Sequence, residues 1–112
     1  MILDALQLRL LEKIRSDLAG YSVVRSTSPL DNRAIWLEIF AGGIHKGNSC
    51  QTLLKKLNIN CKEVAGLGND YNDIDFLDIC AEAYLVANAP VNLQRHYKLV
   101  KSDKEEGFTE FI

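Results

Sequence analysis

The sequence lacks the long apolar runs and the concentrated positive charge that mark membrane proteins and nucleic-acid-binding proteins. Its longest apolar stretches are a few residues, whereas a membrane-spanning helix needs about 20. The 13 lysine and arginine residues are dispersed along a chain with a formal net charge of −2, so no basic patch for a phosphate backbone is visible. We therefore expect neither a membrane nor a nucleic acid among its partners.

Signals for export and for soft-metal binding are also missing. The first residues hold no basic segment followed by a long apolar one, so we expect no signal peptide. The three cysteines, Cys50, Cys61 and Cys80, form no Cys-x-x-Cys pair and are expected to be reduced thiols in a cytoplasmic protein. The two histidines, His45 and His96, are far apart, which excludes a zinc-type cluster.

What remains is the composition of an ordinary globular domain. Of the 112 residues, 47% are apolar and 25% are charged, which suits one modest hydrophobic core. Apolar periodicity and turn residues divide the chain into short elements. We predict helices over residues 3–19, 49–57, 72 or 73 to about 80, 91–96 and after 103, and strands over 21–26, 34–40, 63–67, 84–87 and 99–100.

The order of these elements changes after Ala41-Gly42-Gly43, which is the one candidate boundary. Residues 1–42 show a helix and two strands joined by a short polar link, which predicts an antiparallel pair. In the second strand Trp36 is expected to belong to the core, although it and Arg33 could touch a substrate. Residues 43–112 alternate helices with short apolar strands, which is typical of an α/β fold with helices on both faces of a parallel sheet.

The most unusual stretch is residues 66–75, Gly-Leu-Gly-Asn-Asp-Tyr-Asn-Asp-Ile-Asp. It follows an apolar run and precedes a helical pattern, where an α/β sheet presents a ligand site. Asp70, Asp73 and Asp75 are close enough to repel one another, and a bound cation would relieve this repulsion. Ligands that are all oxygen favour Mg²⁺. A solvated turn that caps a helix has a similar composition and remains the alternative.

Two other templates for such a loop fail. An EF-hand loop counted from Asp70 would need glycine at its sixth position and an acid at its twelfth, where the chain has Asp75 and Ala81. A dinucleotide-binding fingerprint that starts at Gly66 would need a third glycine where Tyr71 stands. A phosphate site beside the loop would need a fixed cation. Lys46, which opens a predicted helix, is the candidate.

Together these motifs resemble the C-terminal half of a haloacid-dehalogenase-superfamily phosphatase of the Cof-like, sugar-phosphatase type. The resemblance rests on four stretches in the same order, Lys46-Gly47, residues 68–73 followed by Phe76-Leu77, residues 86–89 (Val-Ala-Asn-Ala), and residues 102–107 ending in glycine. It implies that residues 43–112 are the back half of a Rossmann-type core with a partial parallel sheet. It also implies that residues 1–42 are the last part of an α+β cap domain.

The resemblance implies Mg²⁺-dependent phosphomonoester hydrolysis through a phospho-aspartate, with a phosphorylated small molecule as the partner. Lys46 resembles the lysine that neutralises the nucleophile and the phosphate, and Asp73 resembles the acid on the magnesium side. Asn72 and Asn88 resemble residues that hold the loop or the phosphate at the rim. The first acid of the family's motif falls on Asn69, so either the Asn69 amide or the Asp70 carboxylate would join Asp73 as a metal ligand.

One part of the family's pattern is missing from the sequence. The nucleophile motif Asp-x-Asp-x-Thr/Val follows no N-terminal strand here. On this resemblance the chain is a truncated or fragmentary hydrolase that is inactive by itself. The alternative is a non-catalytic α/β module that binds a metal or a partner. Half of a parallel sheet leaves an unpaired edge, through which the chain would form a homodimer or dock on another chain.

Overall fold

The computed structural model describes residues 5–30 and 34–112. Arg33 and the first two residues of the predicted N-terminal helix lie outside these ranges. Ten helices and strands follow one another in this part of the chain. They are α1 (Ala5–Asp17), β1 (Tyr21–Thr27), β2 (Ile35–Ala41), α2 (Lys46–Leu57), β3 (Ala65–Gly68), α3 (Ile74–Leu77), β4 (Glu82–Val86), α4 (Val91–Gln94), β5 (Lys98–Val100) and α5 (Gly107–Phe111).

The strands form the two sheets that the sequence predicted. Strands β1 and β2 are antiparallel, in a register that runs from Tyr21 opposite Ala41 to Thr27 opposite Ile35. Strands β3, β4 and β5 form a parallel sheet in that order. Because the carboxyl ends of β3, β4 and β5 meet at one edge, the loops that follow them meet there as well.

Helices cover both faces of the parallel sheet, as predicted. A Cβ atom on Gly66 would lie only 2.9 Å from the Phe76 ring and 3.1 Å from Leu77, so α3 rests directly on the glycine surface of β3. On β4, Tyr84 faces the other way and packs edge-on against Phe111 of α5, with ring centroids 5.4 Å apart. The α/β prediction with helices on both faces is therefore confirmed.

The hydrophobic core belongs to this C-terminal half. Its buried members are Leu77, Leu85, Val86, Ala89, Leu93 and Val100. The predicted apolar stripe of α2 is less buried than expected, because Leu53 and Leu57 are exposed in the described structure. The expected core position of Trp36 is also wrong, since 43% of this residue is exposed.

Two helix boundaries differ from the prediction for local reasons. Helix α2 begins at Lys46 rather than residue 49, because the His45 side chain caps it and accepts a hydrogen bond from the Asn48 backbone N–H at 3.3 Å. Helix α3 ends at Leu77 rather than near Cys80. The Cys80 N–H bonds to the carbonyl of Leu77, three residues back, so the last turn tightens and leads into β4.

Two further findings concern the cysteines and the helices. All three cysteines are free thiols. None of the helices in residues 5–30 and 34–112 has the length and apolar character needed to cross a membrane.

Tyr97 gives the fold a measurable pH dependence. Its partial burial, together with the hydrogen bond that its Oη donates to Asp78 Oδ1 at 2.9 Å, raises the pKa of Tyr97 from 10.0 to about 12. The folded chain holds this proton more tightly than the unfolded chain, so the stabilisation is complete below about pH 10 and is lost as the pH rises to about 12. We expect the free energy of unfolding in urea to fall more steeply across this window than it does for Tyr97→Phe. Parallel curves for the two proteins would contradict this prediction.

Candidate active site

The loop after β3 is a tight turn built from its own carboxylates. The chain leaves the sheet at Gly68 and forms a 3₁₀ turn over Tyr71–Asp73. Asp70 caps this turn, because its Oδ1 accepts the Tyr71 N–H at 2.7 Å. Asp73 Oδ2 reaches back to accept the backbone N–H groups of Asn69 at 2.8 Å and of Asp70 at 3.3 Å. The two aspartates therefore fix the backbone of the whole loop.

Asp73 is also the buried partner of Lys46. Only 4% of Asp73 is exposed, and its Oδ1 accepts a hydrogen bond from Lys46 Nζ, which brings together two residues 27 positions apart. The Lys46 side chain itself is 52% exposed. The structure thus unites the two residues that the resemblance marked as catalytic, with the carboxylate held inside and the ammonium group reaching solvent.

The glycine after Lys46 makes this pairing sterically feasible. Gly47 is buried, and a Cβ atom there would lie 2.5 Å from the backbone carbonyl oxygen of Asp75. The first turn of α2 therefore lies directly on the backbone of α3. This contact places Lys46 against the loop that Asp73 closes. The close approach explains why a glycine follows the lysine.

Asp70 connects the loop to strand β1. Its Oδ2 accepts the Thr27 backbone N–H at 2.6 Å, and its Oδ1 accepts the Thr27 hydroxyl at 3.0 Å. With the bond from the Tyr71 N–H, three donors share this one carboxylate. Asp70 therefore joins the antiparallel hairpin to the edge of the parallel sheet.

The three aspartates of residues 66–75 each have a different neighbour. Asp70 is bonded across to β1, and Asp73 is neutralised by its lysine. Asp75 turns to the outside, where its Oδ2 lies 3.6 Å from Nδ1 of His45. Asp70 and Asp73 thus have hydrogen-bond donors within the chain, and the expectation of a bound cation stays a prediction.

Asn72 and Asn88 occupy two different places at this edge. The Oδ1 atom of Asn72 is buried and has no hydrogen-bond partner among the described residues, so it is an unsatisfied acceptor. Asn88 follows β4 and is exposed. It forms a reciprocal pair with Asp103, donating to its Oδ1 at 2.7 Å and accepting its N–H at 3.2 Å. Asn88 thus joins the loops after β4 and β5 at the rim.

Three clefts of about 410, 300 and 340 Å³ run along this edge between the hairpin and the loops. The first, which we call the β1 cleft, lies between β1 and the loops after β3 and β4 and includes Asn69 and Asn88. The second is lined by Trp36, Glu38 and Asn72, and the third by Asn72 and Lys46. These clefts are therefore lined by five of the six residues that the resemblance marked for the site, namely Lys46, Asn69, Asp70, Asn72 and Asn88.

Sequence reasoning missed the contribution of β1. Arg25 and Thr27 lie two residues apart on the strand, and both line the β1 cleft. The Arg25 guanidinium carbon lies 3.6 Å from the centre of the Tyr71 ring, a cation–π contact. The alternation of a strand predicts that Arg25 and Thr27 share a face. Nothing in the local pattern shows that this face meets residues 69–71.

The donor set supplies only part of a magnesium site. Magnesium prefers six oxygen ligands in a near-octahedral arrangement. In the described part of the chain no three Asp, Glu, His or Cys side chains converge as a metal site would require. The oxygens of Asp70 and Asp73 already accept hydrogen bonds, which leaves the Asn69 amide and the buried Asn72 oxygen as additional donors. The side chains of residues 5–30 and 34–112 therefore supply only part of such a site.

Comparison with known proteins agrees with this architecture. The model of a family described as haloacid dehalogenase-like hydrolases matches residues 4–112. A protein of Streptococcus pyogenes serotype M6, named as a candidate phosphatase, is 27% identical over 93 residues, which are 82% of this chain and 32% of that protein.

Solved structures show the same fold. SMU.1108c from Streptococcus mutans is 26% identical with a TM-score of 0.75, and the match covers 94% of this chain and 38% of that one. A haloacid dehalogenase-like hydrolase from Bacillus subtilis is 19% identical with a TM-score of 0.78, covering 98% and 37%. The chain thus spans about a third of the length of these relatives. It belongs to the haloacid dehalogenase-like hydrolases.

Proposed function

We propose that this chain supplies the phosphate-side residues, and part of the metal side, of a phosphomonoester hydrolase that acts on a phosphorylated small molecule. The observation that carries the proposal is the pair of Lys46 and buried Asp73 at the carboxyl edge of a parallel sheet. A relative named as a candidate phosphatase supports the same reaction class. The three free thiols agree with a cytoplasmic setting.

Lys46 is the proposed phosphate-binding and catalytic cation. Its ammonium group has three hydrogen donors, and Asp73 occupies one of them. The others face solvent and can bind non-bridging phosphate oxygens, where negative charge must be stabilised during transfer. Asp73 acts by holding Lys46 in place and by fixing the amides of the loop. Asn72 lines the middle and third clefts on the phosphate side, and Asn88 forms the rim.

We include magnesium in the proposal because the resemblance to haloacid-dehalogenase-superfamily phosphatases implies it. Asn69, Asp70 and Asp73 are the residues of this chain proposed for the metal side, and further oxygen ligands would have to come from outside it. Asp70 would have to release its bonds to Thr27 in order to coordinate, whereas the Asn69 amide is already exposed. This difference favours Asn69 as the ligand from the first motif position.

The nucleophile must come from residues that this sequence does not contain. In the proposed reaction an aspartate attacks phosphorus, the alcohol leaves, and water hydrolyses the phospho-aspartate. No Asp-x-Asp-x-Thr/Val motif follows a strand here. We therefore propose that the chain by itself binds phosphate but does not turn over phosphate esters.

Two measurements on the purified chain test this proposal. With Mg²⁺ and p-nitrophenyl phosphate we expect no turnover above that of Lys46→Met. Titration with inorganic phosphate, followed by amide NMR, should shift the signals of Asn69, Asp70 and Asn72. Lys46→Met should weaken this binding about tenfold, since a charge-assisted hydrogen bond contributes roughly 1.5–3 kcal/mol.

Lys56→Met is the matched control, because it removes the same charge at the far end of α2. Phosphate binding that is equally weakened by both substitutions would count against a specific site at Lys46. Turnover of p-nitrophenyl phosphate that disappears in Asp73→Ala would show that the chain is active alone and would overturn the second half of the proposal.

A second candidate function follows from the open edges of the sheet. In the described structure β3 pairs only with β4, and β5 pairs only with β4. An unpaired edge can recruit another strand, so a non-catalytic module that forms a homodimer or docks on a partner chain remains the alternative. Light scattering on the same samples separates the candidates, since a stable dimer that binds no phosphate would favour this second one.

A further inference from the structure

Arg25 is a cation in the β1 cleft that the proposed chemistry leaves unused. It is half-buried, and its guanidinium carbon lies 3.6 Å from the centre of the Tyr71 ring. Within residues 5–30 and 34–112 no carboxylate lies within ion-pair distance of it. A guanidinium group carries five hydrogen-bond donors in a planar arrangement, which an anion in the cleft can accept.

The position of Arg25 is fixed by its neighbour on the strand. Thr27, two residues further along β1, is held by two hydrogen bonds to Asp70. This connection keeps β1 against the loop, while Tyr71 supports the guanidinium from the other side. Arg25 therefore needs little reordering to bind an anion, and a pre-organised group loses less free energy on binding.

The one carboxylate that lines the β1 cleft does not exclude an anion. Asp70 shares its charge among three hydrogen-bond donors, from Thr27 and Tyr71. The other polar residues of the cleft, Asn69 and Asn88, carry amide groups that can donate to an anion. The balance of charge and donors in this cleft thus favours an anionic ligand.

Arg25 and Lys46 line two different clefts of this edge, and the middle cleft adjoins both. Lys46 lines the third cleft and Arg25 the first, and the middle cleft shares lining residues with both. The middle cleft contains Glu38 and the exposed Trp36, which suit a neutral hydroxylated group better than a second anion. A ligand that satisfies all three clefts carries an anionic group at each end.

We propose that Arg25 determines specificity by binding a second anionic group, a carboxylate or a phosphate, on the leaving-group side of a phosphate ester whose phosphoryl group lies at Lys46. This inference rests on the proposed function, because it takes Lys46 as the phosphoryl end. The substrate class is then a small phosphate ester with a second negative group rather than a neutral sugar monophosphate.

Calorimetric titration of the native chain with three probes tests the inference. The probes are glucose 6-phosphate, which has one anionic group, and 6-phosphogluconate and glucose 1,6-bisphosphate, which have a carboxylate or a phosphate as the second. We expect the two doubly anionic probes to bind about tenfold more tightly than glucose 6-phosphate, since a hydrogen bond to a charged group contributes roughly 1.5–3 kcal/mol.

The variants separate the roles of the two cations. Arg25→Gln should remove the tenfold preference and leave glucose 6-phosphate binding unchanged. Arg25→Lys keeps the charge without the planar fork and should retain part of the preference. Arg95→Gln, which removes an exposed arginine from the end of α4, is the matched control and should change nothing.

The outcomes also separate this inference from the proposed function. A native chain that binds all three probes equally, or an Arg25→Gln variant that weakens all three equally, overturns the inference. Failure of all three probes to bind overturns it as well. If the preference depends on Arg25 but Lys46→Met weakens no probe, the specificity role of Arg25 stands and the assignment of Lys46 is wrong.

Discussion

Replacing Asp73 with alanine should lower the free energy of unfolding by about 3 kcal/mol, because backbone N–H groups that lose their acceptor each cost roughly 1–3 kcal/mol. Asp73 Oδ2 accepts the N–H groups of Asn69 and Asp70, and alanine leaves both without this acceptor. Lys46 adds little to the cost, since its half-exposed ammonium group can return to water. Urea denaturation at neutral pH measures the difference.

Two matched variants divide this effect between its causes. Asp73→Asn keeps an oxygen that can accept the loop N–H groups but loses the charge, so it should cost less than Asp73→Ala. Lys46→Met removes the ion pair but keeps the carboxylate, and it should cost about 1 kcal/mol or less because the lysine is half-exposed. If Lys46→Met destabilises the chain as much as Asp73→Ala, the ion pair rather than the loop backbone explains the burial of Asp73.

Asp73 also shows how much of the candidate site could be predicted from the sequence. The composition and position of residues 66–75 indicated a ligand loop, and Lys46 was expected beside it. The structure places Lys46 against Asp73 of this loop, while the binding of a ligand by the loop stays a prediction. Repulsion among the three aspartates is an incomplete argument for a metal, since Lys46 and Thr27 donate hydrogen bonds to Asp73 and Asp70. Spacing along the chain reveals how close charges are in sequence, but it cannot show which side chains from other elements lie between them.

The fold was more predictable than its contacts for a related reason. Parallel strands such as β4 are buried on both faces and appear as apolar runs, so the α/β class followed from local pattern alone. The contact of Thr27 with Asp70 joins residues 43 positions apart, and no periodicity encodes it. Trp36 shows the opposite error. Its aromatic character favoured a core position, yet it is exposed at the middle cleft.

Gly47→Ala should destabilise the chain by about 2 kcal/mol, within the roughly 1–3 kcal/mol that overpacking of a well-packed contact costs. The added Cβ would lie 2.5 Å from the carbonyl oxygen and 2.9 Å from the carbonyl carbon of Asp75. These are backbone atoms, so no side-chain rotation relieves the overlap and α2 must move away from α3. Alanine favours a helix over glycine by about 1 kcal/mol, which offsets part of the cost.

This displacement also has a functional consequence, because α2 begins with Lys46. Moving its first turn away from α3 separates the ammonium group from Asp73 and from the loop, so Gly47→Ala should weaken phosphate binding as well as stability. Gln51→Ala, on the exposed side of the same helix, is the control and should change the free energy of unfolding by less than about 0.5 kcal/mol. A Gly47→Ala variant as stable as the native chain would show that α2 does not need the close approach to Asp75. The glycine after Lys46 would then have no structural explanation, and the position of the lysine would have to depend on Asp73 alone.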